Sequence, residues 1–235
     1  RVFLFKGMNW KDISVFQYQQ LYSIIQNNEK ITEEEIAIKA MAVVYNKTEN
    51  QIRNLSINEV TKMTNDLKFL NQEFKPEKKD FVFCGKKRYR FNYDVRQMAS
   101  ARYIESKYFI RDFEVNIHKV AASMVIPQRW SLFGWKDLKY DSKKHSEYAE
   151  DLLNAPICEV LGSVVFFYQL FNNWIKNTPD YLIKQMMEMG MTKSSAEFLH
   201  RLLWTISDGF IKRVSLPSLS ESDLKKFTNS PQFNS

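Results

Sequence analysis

Three histidines, two cysteines and one run of acids are the side chains of this sequence best equipped for chemistry. His118, His145 and His200 are widely separated. A helical metal site needs ligands about one turn apart, and no pair of these histidines has that spacing. All three lie on or beside apolar stripes, which assigns them to structure. Cys84 and Cys158 sit in apolar surroundings and read as reduced core thiols. Burial in an apolar helix raises a thiol's pKa, so Cys158 reads as inert. Cys84 has basic neighbours that could lower its pKa, though a packed hairpin turn explains it as well. A Cys–His nucleophile pair stays formally open at either position. Glu33, Glu34 and Glu35 complement the dipole at a helix N-terminus, and Asp94 reads as an N-cap. Six glycines, scattered, do not make a phosphate loop. No catalytic residue, metal ligand or cofactor is nominated, and the expectation is a protein that is not an enzyme.

The strongest signal is charge. Between Lys75 and Arg102 lie nine basic residues and three acidic ones, nearly the whole of the +7 net charge. Within this stretch Lys86, Lys87, Arg88, Arg90 and Arg96 are candidates for contact with phosphate or with an acidic partner. Lys87, Arg88 and Arg90 interleave with Tyr89 and Phe91. On a strand that alternation places Tyr89 and Phe91 on one face and Arg88 and Arg90 on the other. Aromatic inward and basic outward is the expected outcome, which leaves phosphate contact open but weakens base stacking by these two rings. A second candidate is the stretch from Gln128 to Tyr140, read as a loop. Its rings, Trp130, Phe133, Trp135 and Tyr140, need burial in the fold or in a partner, and they are the candidate protein interface.

The elements that position these residues are mostly helices. Ser14 and Gln17, Thr32 and Glu35, Thr48 and Gln51, and Ser56 and Glu59 each have capping-box spacing. Val60, Met63, Leu67, Leu70 and Phe74 recur at threes and fours, the pattern of a bundle helix. Lys75 to Lys79 is a polar break containing Pro76. After it the period drops to two: Phe81 to Cys84 and Lys87 to Phe91 flank Gly85, a β-hairpin. Val2 to Phe5 reads as a short strand that could join it. Helices resume near Val95, again through Ile117 to Val125 with Pro127 as the stop, then around His145 to Leu153, Cys158 to Lys176, from Pro179, and around Leu202. The stretch Val160 to Trp174 is apolar but too short and too polar in places to span a membrane.

The expected fold is therefore mainly α: a multi-helix bundle with a small antiparallel hairpin or sheet inserted near residues 80–92. The expected organisation is an N-terminal helical subdomain at 1–74, a hairpin-plus-helix domain at 75–214 and a loose tail at 215–235.

Three runs carry a resemblance. They are KKRYRFNYDVRQMASARYIESKYF from Lys86, NIHKVAASMVIP from Asn116 and YDSKKHSEYAEDLL from Tyr140. Their order resembles structural-gene products of tailed bacteriophages of Bacteroidota, including crAss-like phages, over about a third of the chain. The shared features are the run Ala101 to Glu105 and the helix His118 to Ser123. The resemblance implies a non-enzymatic virion or assembly role: connector ring, tail assembly factor or packaged protein. It implies other virion or assembly proteins as partners, a homo-oligomer, and a place in the virion or the host cytoplasm. It transfers no site residues. The alternative reading is a nucleic-acid-binding helical module that uses the basic hairpin.

Overall fold

A computed structural model describes residues 8–26, 32–72, 74–94, 102, 108–109, 112–177, 179–199 and 201. It is mainly helical with a four-stranded antiparallel sheet. The chain groups into two units, Arg1–Asn92 with Met98–Ser163, and Tyr93–Gln97 with Val164–Ser235. The boundary expected at residue 74 lies inside the first of these. The strand expected at Val2 to Phe5 and the tail at 215–235 fall outside the described residues. So do the helices expected from Val95 and around Leu202, apart from Arg102, Tyr108, Phe109, Leu199 and Arg201.

The N-terminal helices are α1 (Val15–Gln26), α2 (Glu33–Val44), α3 (Glu49–Arg53) and α4 (Ile57–Asp66). Each starts at its expected capping residue. Ser14 Oγ accepts from Gln17 N while Gln17 Oε1 accepts from Ser14 N. Thr48 with Gln51 and Ser56 with Glu59 make the same reciprocal pair. Thr32 accepts from Glu35 N. These bonds satisfy N–H groups that a helix start otherwise leaves open. Gln17 does more: its Nε2 donates to the carbonyls of Val43 and Val44, tying α1 to the last turn of α2. The heptad-like run after Val60 is not one helix. α4 stops at Asp66 and Leu67–Asn71 tightens to a 3-10 turn, which buries Leu67 and Phe69.

The polar break at 75–79 is a strap. Glu77 N donates to the Cys158 carbonyl, Lys79 N donates to Ser163 Oγ, and that hydroxyl donates back to the Lys79 carbonyl. It crosses the start of a long helix, α7 (Ile157–Asn177), whose residues from Val164 belong to the second unit. Gly162 makes the crossing geometrically feasible, since a Cβ there would stand 2.4 Å from the Glu77 carbonyl oxygen. In the second unit Tyr93 meets Phe166 edge-on at 5.0 Å, and Phe167 stacks on Phe171. α8 (Pro179–Glu188) follows, starting at its proline.

The sheet belongs to the first unit. Its strands are β1 (Phe81–Cys84), β2 (Lys87–Phe91), β3 (Val125–Ser131) and β4 (Gly134–Asp137), in the order β1-β2-β3-β4. Between β2 and β3 in the chain comes α5 (Phe113–Met124), and after β4 comes α6 (His145–Leu152). The stretch expected as an aromatic loop is in fact the hairpin of β3 and β4. α5 ends at Met124, ahead of Pro127 as expected, but passes directly into β3, so the proline lies inside a strand. A central strand tolerates this proline because of where the ladder ends. The Pro127 carbonyl accepts from Leu138 N at 2.8 Å, just past the end of β4, so the missing N–H falls beside the last rung.

Candidate functional site

The β1–β2 turn sets the site. Cys84 pairs with Lys87, leaving only Gly85 and Lys86 to turn the chain. Gly85 takes φ +61°, the backbone that two-residue hairpin turns ask of glycine. That short turn places Phe83 opposite Arg88 and Phe81 opposite Arg90. The register continues across the sheet: Arg88 to Gln128 to Asp137, and Trp130 to Trp135. Directly paired residues share a face. One face therefore carries Phe81, Phe83, Arg88, Arg90, Gln128, Trp130, Trp135 and Asp137. The other carries Val82, Cys84, Lys87, Tyr89, Phe91 and Val125.

The second of these is the inner face. Tyr89 and Phe91 are each 2% exposed, and Val82 and Val125 are fully buried. Tyr89 meets Tyr148 of α6 edge-on and its hydroxyl donates to Asp151. Lys87, at the margin of this face, binds Asp151 at 2.7 Å and Glu147 at 3.0 Å. Burial, with the Asp151 bond, pushes the Tyr89 hydroxyl far above the usual tyrosine range. Burial also drives the Cys84 thiol up to about 12 and the Cys158 thiol up to about 11. At Cys84 the desolvation outweighs the nearby Lys87, so the basic neighbours do not activate it. Both thiols are unbridged.

The outer face is built differently. Phe81 and Phe83 meet edge-on at 5.8 Å, Phe83 and Trp135 at 5.9 Å, and Trp135 and Trp130 at 5.4 Å, forming a continuous row of rings. The Arg88 guanidinium lies over this row, 3.8 Å from the Phe81 ring centre, 5.2 Å from Trp135 and 5.6 Å from Phe83. Arg90 forks onto Asp137, with Nε 3.1 Å from Oδ2, and Gln128 Nε2 donates to the same carboxylate at 2.7 Å. The Arg90 bond, chiefly, holds the Asp137 carboxyl below its ordinary range. β3 outruns β2 by three residues, so the β3–β4 hairpin projects. At its tip Leu132 is 98% exposed and Phe133 is 89% exposed. Turns normally take Gly, Asn, Asp, Pro or Ser. Two large apolar residues at such a tip are costly in water.

The candidate residues thus divide. Arg88, Arg90, Trp130 and Trp135 converge on the outer face, and Phe133 stands at its projecting end. Lys86 lies exposed in the β1–β2 turn. Lys87 points to the opposite face and is spent on Asp151 and Glu147. Tyr140 is also elsewhere: it packs on Tyr148 and beneath Arg102, whose guanidinium is 4.0 Å from its ring. Arg96 lies outside the described residues. Phe81 and Phe83 are site residues the sequence reading passed over. The signal was present, because a two-residue turn that sends Tyr89 inward must pair Phe83 with Arg88. Two of the histidines serve packing: His118 Nδ1 accepts from Gln19 Nε2 at 3.0 Å, and His145 stacks on Phe109; His200 lies outside the described residues.

Among the described residues no cluster of His, Cys, Asp or Glu has metal-binding geometry, and no helix is long and apolar enough to cross a membrane. No protein-family model, curated protein or solved structure matches the chain.

Proposed function

We propose that this protein is a non-enzymatic assembly component that docks the outer face of its sheet, together with the Leu132–Phe133 tip, onto another protein. The observation that carries the reading is the row of exposed rings from Phe81 to Trp130, continued by an apolar hairpin tip. Large exposed apolar patches are uncommon on monomers and mark contact surfaces. The resemblance to tailed-phage structural proteins supplies the setting: subunits of a virion or its assembly machinery, in the virion or the host cytoplasm, with homo-oligomers included.

A second reading has one observation in its favour. Exposed rings on an antiparallel sheet can stack the bases of a single strand. Its electrostatics are weaker. Phosphate contact needs several cations free to follow a backbone, and here Lys87 and Arg90 are matched by carboxylates inside the chain.

Both readings meet one experiment. Purified particles are assayed by quantitative mass spectrometry for this chain, with and without Phe133→Gly and Trp135→Ala. A fixed copy number in wild-type particles, lost in the folded variants, is the expected result. Absence from particles, or retention of both variants at full copy number, would overturn the docking reading. Salt-sensitive binding to a thymidine oligonucleotide in its place would establish the second.

A further inference from the structure

Three cations of β2 enter the sheet and only one lacks a carboxylate. Lys87 has Asp151 and Glu147, and Arg90 has Asp137. Arg88 has no ion pair and no hydrogen bond among the described residues; its contacts are the rings of Phe81, Phe83 and Trp135. Its Nε is buried without a partner, and so is Oε1 of Gln128, the residue paired with it across the strands. Buried polar atoms are nearly always satisfied within a protein, and the exceptions call for an account.

Resting on the docking reading above, we propose that Arg88 is the receptor for a carboxylate of the docking partner, an Asp or Glu side chain on an otherwise apolar segment laid across the ring row. The chemistry follows from the geometry. Rings below a guanidinium hold it in orientation by cation–π attraction and strip water from one side of it. Its edge N–H groups stay available to take a carboxylate in the two-pronged manner that arginine favours. The low-polarity surround strengthens that bond, and arginine beside tryptophan is the composition of interface hot spots. One unmatched arginine on the face is a poor match for the repeated charge of a phosphodiester backbone. An acidic apolar segment fits both the charge and the surface.

The test uses the full chain. A display library of random peptides is panned against it, and selected peptides are measured against Arg88→Gln, Arg88→Lys and Trp135→Ala. Each is also remade with its acids changed to amides, which leaves the protein untouched. The expected result is a shared acid beside apolar residues, with affinity falling at least about thirtyfold both on Arg88→Gln and on the amide change. Arg88→Lys recovers only part of it, because an ammonium cannot fork. Peptides that depend on Trp135 but ignore Arg88→Gln and the amide change would overturn the carboxylate receptor and leave face docking standing. Peptides indifferent to Trp135 as well would overturn both. So would an empty selection alongside an oligonucleotide that binds through Arg88, which would make the anion a phosphate.

Discussion

The two faces of the sheet use the same residue types for opposite ends. Each has aromatic rings, a cation from β2 and a carboxylate within reach. On the inner face the rings of Tyr89 and Phe91 are closed off from water, and the Tyr89 hydroxyl shares Asp151 with Lys87. The Lys87 ammonium and the Tyr89 hydroxyl both find their partners on α6. On the outer face the rings stay half-exposed, one arginine is left to them alone, and the hairpin tip turns apolar side chains to solvent. The difference lies in what covers each face. Helices bury the inner side chains, so packing selects them. The outer side chains have no internal reason to be apolar, which points to an external one.

Three measurements would break or sharpen that contrast. The largest effect belongs to the inner face. Tyr89→Ala removes a fully buried ring and the partner of Asp151, and the expected loss of stability is about 3–5 kcal/mol. Denaturant midpoints check it, and a loss below about 1 kcal/mol would mean the inner face is not the core it looks to be.

A smaller effect concerns pH and α5, the helix leading into β3. Burial pushes the His118 ring down from 6.5 to about 4. Its Nδ1 accepts from an amide that can only donate, so a proton there breaks the bond. The folded ring refuses a proton that the unfolded chain takes up below about 6.5. His118 therefore contributes stability that is intact above that value and is lost as pH falls towards about 4. Melting the protein across this range should show a steeper decline for the wild type than for His118→Asn. Identical slopes would show that the ring is not protected from protonation.

The smallest effect is expected outside. Trp130→Ala and Phe133→Gly should each change folding stability by less than about 1 kcal/mol, because the rings they remove are already wet. A cost as large as that of Tyr89→Ala would show the outer row to be a structural device and remove the main support for docking.

Much of this was legible in the residues. The four helix starts were, because a hydroxyl and an acid or amide three positions on are a local bond that needs no tertiary help. The first hairpin was, because Gly85 and a period of two are local signals as well. The β3–β4 hairpin was not. It has Pro127 inside a strand and Leu132-Phe133 at its turn, where local rules expect neither. Its pairing with β2 lies across the whole of α5, and the proline is tolerated because its missing N–H faces the end of β4. The site split the same way: Arg88, Arg90, Trp130 and Trp135 were each visible, in two separate groups.

By itself the sequence determined the helical character, the cap positions, the inward set of Tyr89 and Phe91, and the concentration of charge around β2. Each follows from contacts between near neighbours along the chain. Only the tertiary structure decided that Lys87 and Arg90 are matched while Arg88 is not, and that two aromatic stretches about fifty residues apart form one surface. Those outcomes depend on strand register and on which carboxylates the packed helices deliver, which are long-range contacts no local pattern encodes.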